Sequence, residues 1–575
     1  LLSLFLPAVW ADEPIPYDYS RWPYPLHKEV GERLQQLHRQ YPKLTELHTI
    51  GKSIEGRDLW VLEISNKDTG PSSKKPAMFA DGNIHAREIT GRQLLMYFAE
   101  RVLANYGKDK RVTALVDDRV FYVMPIFDVD GGEKVLTQHP AWPEHKPAEH
   151  NGKDLDGDGF ITQMRVKDPK GMFYPSPIDP RLMLQVRDRT GGRWNFIPTT
   201  WEEPKDFTDD LAPADQRYRT YTEGEDLTGE FARKNPPLPN FNRNWPAEWK
   251  PTEPGAGPYP LWLPEVAAVA KFMTDRAHIY FDYTIHSGGG AKNYLVRPPM
   301  SHPFEFMPPE DNDFYTRVGA IWSHLSEGGV MNNNYYAQEV KAGRYGDTMT
   351  GFKNDWSYMH LGIHSLLPEI SAAGRDYDED GYVTQYEVLR WNDEEKGGKY
   401  YAPWKKYKHP TLGEVEVGGL RGMPQGVDDR LKKECEVHYG LLLHVAGLAP
   451  RLRVADVKTS PGANGTVKVR ATLKNEGFLS TYVTRYALSV NRDIPIEAML
   501  TVEGGEVVGA SRRKAGHILG KLAYIRRWGS GADESLKTVE WTVKPAAAGR
   551  AMKLTVQAGT PKAGEDSKTV TVNSR

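Results

Sequence analysis

The chain has 575 residues, a formal net charge of −2 and 39% hydrophobic residues. A near-neutral balance gives no electrostatic footing for nucleic acid or an anionic membrane surface, and no apolar run is long enough to span a bilayer. The single cysteine, Cys435, excludes an intrachain disulfide, and the length accommodates a large enzyme domain plus a smaller one.

The start, Leu1 to Val9, is apolar and runs into Ala8-Val9-Trp10-Ala11. It reads as the remainder (1–11) of a secretory signal peptide cut after Ala11, so the expected location is secreted or periplasmic. An ordinary apolar N-terminal strand is the plainer alternative. Leu26 to Gln40 has helical periodicity and Tyr41-Pro42 stops it. Thr49 to Arg57 is a turn-rich hairpin, with Glu55-Gly56-Arg57 at its end, feeding a strand Leu59–Ser65. The apolar run Pro76–Ala80 then leads into Asp81-Gly82-Asn83-Ile84-His85-Ala86-Arg87-Glu88-Ile89-Thr90. A helical pattern follows, with Leu94, Leu95, Phe98, Ala99, Val102 and Leu103 on one face. His85 and Glu88 thus stand where a strand ends and a helix begins, the usual place for a site in an open α/β sheet. A neutral imidazole and a carboxylate three residues apart can turn toward one point, as zinc requires.

Arg119–Phe127 is a further apolar strand. The stretch 133–239 is rich in proline, charge and aromatics without sustained periodicity, an insertion too long for an ordinary loop. Beyond it come Asn240-Phe241-Asn242-Arg243-Asn244-Trp245, a helix over Pro264–Asp275, and a strand with Ile279, Phe281, Tyr283 and Ile285 alternating. That strand ends in His286-Ser287-Gly288, a second histidine at a strand end. Asn354-Asp355-Trp356-Ser357-Tyr358 precedes a strand His364–Ile370 that carries Glu369 in an apolar run, costly unless the carboxylate is paired or working. A helix over Val427–Leu448, with Cys435 as a small buried side chain, closes a catalytic domain 12–449. From 450 to 575 short Val/Thr-rich alternating segments separated by turns predict a β-sandwich.

Taken in order, His85-x-Arg87-Glu88, Asn242-Arg243-Asn244-Trp245, Ile285-His286-Ser287, Asp355-Trp356-Ser357-Tyr358 and the Glu-Gly-Arg hairpin resemble the zinc metallocarboxypeptidases of the carboxypeptidase A/B type. Asp355 and Glu369 also keep that family's separation. The resemblance covers roughly Tyr17 to Gly447 and implies a mixed α/β sheet flanked by helices. Two nitrogens and one carboxylate from His85, Glu88 and His286 make three protein ligands and leave a fourth position for water, the signature of a catalytic zinc. Glu369 has the chemistry of the general base and acid. An arginine aimed at the scissile carbonyl stabilises developing negative charge; by the resemblance this is Arg165, or in second place Arg87. Arg243, with its planar fork, suits bidentate capture of a C-terminal carboxylate, and Asn242 can add a neutral donor.

Two positions depart from the pattern. Pancreatic relatives carry a tyrosine where this chain has Asp347, and Tyr345 is the nearest substitute. The residue before Asp355 tends in the family to lie at the floor of the specificity pocket; here it is Asn354, neither acidic nor apolar, which leaves the side-chain preference open.

Asp376, Asp378, Asp380, Gly381, Tyr382 and Glu387 fit an EF-hand-type calcium loop without an entering helix. Asp154, Asp156, Asp158 and Gly159 repeat its first half, but the twelfth position is Arg165, which cannot ligate. The sequence therefore points to an exported zinc carboxypeptidase with calcium as a second metal, acting on peptide or protein substrates. An amidase or peptidase acting on cell-wall peptides, and a catalytically silent calcium-stabilised binding protein, are the alternatives. Nothing in the sequence identifies a partner for the C-terminal sandwich.

Overall fold

The structure, a computed structural model, describes residues 24–137, 153–159, 161–185, 213–224, 240–253, 255–287, 293–302, 306–326, 330–332, 350–370, 374–378, 385–420, 430–526, 534–547 and 549–573. Residues 1–11, Tyr345, Asp380 and Tyr382 lie outside these, as does much of the insertion.

The catalytic part is built on one mixed sheet of eight strands. In chain order these are β1 (Thr45–Lys52), β2 (Asp58–Ile64), β3 (Ala77–Gly82), β4 (Val120–Met124), β9 (Ile279–Ser287), β10 (Tyr294–Val296), β11 (Val330–Asn332) and β12 (His364–Ile370). Their spatial order is β1-β2-β4-β3-β9-β12-β10-β11. The four central strands β4, β3, β9 and β12 run parallel, and β1, β2 and β10 join antiparallel. Strands β3, β4 and β9 are buried along their whole length, as expected for parallel strands covered on both faces. Helices Thr90–Asn105 and Lys353–Leu361 pack on the central strands, and helix Leu431–Gly447 packs on Thr90–Asn105. The strands and helices read from the sequence are present with ends shifted by a few residues, while the alternation of Ile279 to Ile285 does not show as burial, because both faces of β9 are covered.

The described residues of the insertion contain regular structure that its composition does not suggest. Four short strands, β5 (Gln163–Lys167), β6 (Phe173–Pro175), β7 (Met183–Gln185) and β8 (Tyr218–Thr222), join the hairpin β13 (Tyr401–His409) and β14 (Gly413–Leu420). Together they form an antiparallel six-stranded sheet ordered β13-β14-β5-β8-β6-β7. Strands this short leave no readable period; long-range pairing supplies what local sequence does not.

The C-terminal part holds two four-stranded antiparallel sheets. One contains β15 (Leu452–Pro461), β16 (Val467–Asn475), β18 (Gly505–Val508) and β20 (Leu536–Pro545); the other contains β17 (Ile496–Glu503), β19 (Arg512–Gly516), β21 (Ala551–Thr560) and β22 (Gly564–Asn573). Inward residues such as Val469, Leu473, Leu500, Trp541 and Leu554 form its own core. A second contribution was not legible in the sequence: Leu479, Val483 and Leu522 leave this core and are buried in that of the catalytic part.

Candidate metal centre and active site

β3 ends at Gly82, and the following loop is held by its own side chains. Asn83 takes a left-handed backbone (φ 56) and donates from Nδ2 to the carbonyls of His85 (2.6 Å) and Ala86 (3.2 Å). Its Oδ1 accepts from Nη2 (2.5 Å) and Nε (3.2 Å) of the buried Arg92, whose Nη1 reaches the Pro25 carbonyl. Gly82 and Gly91 are packed so closely that a Cβ on Gly82 would lie 2.6 Å from the Gly91 backbone. The loop therefore has little freedom to swing.

It presents His85 and Glu88 to His286, the penultimate residue of β9. The Nδ1 atoms of His85 and His286 lie 2.8 Å and 3.0 Å from Oε1 and Oε2 of Glu88. The three side chains are buried, and one nitrogen or oxygen from each lies within 4.8 Å of the others. Ser287 N–H also donates to Glu88 Oε2 (3.1 Å). Burial pushes the Glu88 carboxyl up, but the two imidazoles outweigh it and hold the group well below the usual carboxylate range. Nε2 of His85 lies 3.3 Å from Asn240 Oδ1. An Nε2–H donated there leaves the Nδ1 lone pair for a metal, the orienting contact usual for a ligating histidine. Two imidazole nitrogens and one carboxylate in a buried pocket fit a zinc ion with an open fourth position.

Glu369 reaches this cluster through sheet register. β12 runs parallel to β9, and Glu369 pairs with His286. Register neighbours on adjacent strands point to the same face, so the half-buried carboxylate stands beside a ligand.

Asn240–Trp245 is anchored by Phe241 and Trp245 against Phe127, with Trp245 also against Trp356. Asn242 Oδ1 accepts the N–H of Lys353 (2.9 Å), capping the start of helix Lys353–Leu361. Arg243 is buried, lies over Phe352 (4.4 Å to the ring centre) and has Nε 3.5 Å from Glu253 Oε1. A Cβ on Gly351 would stand 2.2 Å from the Arg243 carbonyl oxygen. Asn354 is fully buried, and neither its Oδ1 nor its Nδ2 has a hydrogen-bond partner among the described residues. Next to it, Lys353 is buried between Asp81 (2.7 Å) and Asp282, and Asp355 accepts from Met300 N, Ser301 N and Ser301 Oγ. These contacts tie the helix to β3, β9 and the loop after β10.

The two candidate arginines differ. Arg165 sits on β5 directly opposite Glu416 on β14; Nε pairs with that carboxylate (2.9 Å) and the guanidinium stacks on Trp404 (4.0 Å). None of these partners belongs to the His85–Glu88–His286 cluster. Arg87 is half-buried beside Glu88, and its Nε has no hydrogen-bond partner among the described residues.

Carboxylates converge among the described residues of both acidic loops. Asp376, Asp378 and Glu387 bring their carboxylates within 4.8 Å, with Glu387 accepting the Tyr377 N–H (2.6 Å). In the earlier loop Asp154 accepts from Gly157 and Gly159 N–H, while Asp156 pairs with Lys405 (3.0 Å). The buried Glu223, just after β8, holds this loop from outside by accepting from Leu155 N, Thr162 N and Thr162 Oγ1.

The sequence reading missed Asn83, Arg92, Asn240 and the Asp81–Lys353–Asp282 group. The available signals were a lysine and two aspartates inside apolar strand and helix runs, where burial demands partners.

A buried two-histidine, one-carboxylate set at the ends of neighbouring parallel strands defines a mononuclear zinc-type hydrolase centre. The chain belongs to the zinc carboxypeptidase family, peptidase M14, which matches residues 30–168 and 219–396. Residues 451–571 match a family described as a domain of unknown function, DUF8731. Carboxypeptidase D of Anas platyrhynchos is 33% identical over 139 residues, 24% of this chain and 10% of that protein. Carboxypeptidase M of Mus musculus is 33% identical over 174 residues, 29% of this chain and 37% of that protein. The chain thus spans only a minor part of the curated relatives it matches. Among solved structures, bovine thrombin-activatable fibrinolysis inhibitor aligns over 74% of this chain and 97% of that chain at 18% identity, TM-score 0.40. A metallo-carboxypeptidase from Burkholderia cenocepacia aligns over 73% and 69% at 11% identity, TM-score 0.37.

Proposed function

We propose that the protein is a zinc-dependent carboxypeptidase that removes C-terminal residues from peptides. The observation that carries this reading is the convergence of His85, Glu88 and His286, with Glu369 in register beside His286. Zinc held by the three ligands would supply Lewis acidity and lower the pKa of water to about 7. Glu369 accepts a proton from water and returns it to the leaving amine, a contribution of about 10²–10⁴-fold. Arg243 captures the substrate carboxylate with Asn242 alongside, at an approach that displaces Glu253. Asn354, with both amide atoms unused by described residues, completes its hydrogen bonds with the C-terminal side chain of the substrate. This favours a polar side chain there. Arg87 and Arg165 are the candidates for the carbonyl oxygen; comparing Arg87→Ala with Arg165→Ala, scored by kcat, ranks them. The test of the whole reading is hydrolysis of a mixed peptide set by the zinc-loaded protein; absence of C-terminal trimming refutes it.

Two finer assignments belong to the same proposal. Calcium occupies the loop of Asp376, Asp378 and Glu387, whose carboxylates already converge. The protein is exported, on the strength of the apolar stretch 1–11, and fractionation of a producing cell checks this.

A further inference from the structure

The C-terminal domain is joined to the catalytic part at the joint between helix Lys353–Leu361 and β12. That helix begins with Lys353 and Asn354; the strand ends with Glu369 and Ile370. The chain turns between them at Gly362, in the left-handed region (φ 62), where a Cβ would lie 2.6 Å from Ala487 Cβ. The Gly362 carbonyl accepts from Thr484 Oγ1 (3.1 Å) and Lys562 Nζ (3.3 Å), and Lys562 Nζ also donates to the Leu361 carbonyl (2.9 Å). Lys562 is 5% exposed. Nearby, Tyr358 is stacked on Tyr486 and donates to Asp311, which also accepts the N–H groups of Arg485 and Tyr486. Tyr482 OH donates to Glu310 (2.7 Å), and Leu479 and Val483 are buried in the catalytic core.

At a helix end open to water, solvent satisfies the last carbonyls. Here the end is covered, and the C-terminal domain must supply the donors itself. Glu369 is about 17 Å along β12 from His364, at roughly 3.3 Å per residue, on the strand that leads directly out of that joint. We infer that the C-terminal domain is a brace for the catalytic helix–strand pair, with Lys562 as a positioning residue that sets where Glu369 stands. The inference rests on the carboxypeptidase reading for its catalytic consequence and gives the C-terminal domain a role in turnover. A misplacement of about 1 Å transmitted to a catalytic group can cost on the order of 100-fold in rate.

The test uses the full chain carrying Lys562→Met, Lys562→Gln or the milder Thr484→Val, at a temperature where each is folded. Zinc content, KM, kcat and hydrogen exchange of His364–Ile370 are measured together. Lys562→Met should keep zinc and KM near wild type, lose kcat by about 10-fold or more, and exchange faster across His364–Ile370. Lys562→Gln, which retains an N–H donor, should recover part of both, and Thr484→Val should fall between. Unchanged kcat in folded Lys562→Met, or a kcat loss accompanied by zinc loss, overturns the brace. If wild type cleaves no peptide, the carboxypeptidase reading fails by itself, and the exchange measurement still decides: unchanged protection of His364–Ile370 overturns the inference.

Discussion

Glu369 and His286 are register partners on two parallel strands. Sheet register therefore places a proton-transfer group beside a metal ligand. Glu369→Gln keeps the shape and removes the base. It should retain fold and zinc and lose hydrolysis by about 10²-fold or more; turnover near wild type would take the role from Glu369.

His286 contributes one of three ligands, beside His85 and the Glu88 carboxylate. His286→Ala should lose most bound zinc at equal protein concentration, read by metal analysis after dialysis, along with activity. A variant with full zinc occupancy and full activity would dismiss the assigned ligand set.

Arg243 has Glu253 at 3.5 Å, so a substrate carboxylate must compete for the guanidinium. Wild type should prefer a peptide with a free C-terminus over its amide by about 10-fold, equal to about 1.4 kcal/mol. Arg243→Ala should lose most of that preference, and Glu253→Gln should lower KM for the free acid. Equal cleavage of both peptides by wild type, or cuts far from the end, would exclude a carboxypeptidase.

Glu265 gives a pH-dependent stability. It is buried, Oε1 accepts the Ile54 N–H, and Oε2 has no hydrogen-bond partner among the described residues. Burial pushes its carboxyl up from 4.5 to about 7, with Asp128 and Asp130 adding to the rise. A carboxyl whose folded value is raised contributes stability that is fully present below the unfolded value and lost as pH rises through the folded one. The loss therefore falls between about pH 4.5 and 7. Glu265→Gln stays neutral and should be more stable than wild type near pH 8, on the order of 1–3 kcal/mol, with the two converging near pH 4. Melting curves across pH check this; a difference that does not vary with pH would contradict it.

Chelation of calcium should lower thermal stability, and calcium at roughly 10⁻⁴–10⁻³ M should restore it. Asp378→Ala combined with Glu387→Ala should abolish the response. An unchanged response in that double variant would leave the loop without a metal.

Much of the site was legible because its chemistry is local. His85 and Glu88 are three residues apart in one strand-to-helix loop, so spacing alone brings them together, and the apolar runs around His286 and Glu369 mark both as strand residues whose polarity needs a reason. The alternation of Ile279 to Ile285 and the short Val/Thr segments after 450 were likewise readable, because side-chain period is a property of the chain itself. The folded structure decided whatever depends on partners distant in sequence. It set the register that places Glu369 beside His286, opposed Arg165 to Glu416 across a sheet assembled from the insertion and a later hairpin, and brought Glu223 to the Asp154 loop. It also buried Lys353 between Asp81 and Asp282, and Lys562 over the carbonyls of Leu361 and Gly362. A buried charge or covered carbonyl is satisfied by whichever group the packing delivers, and strand register follows from burying whole faces at once, so neither is encoded in any short stretch of sequence.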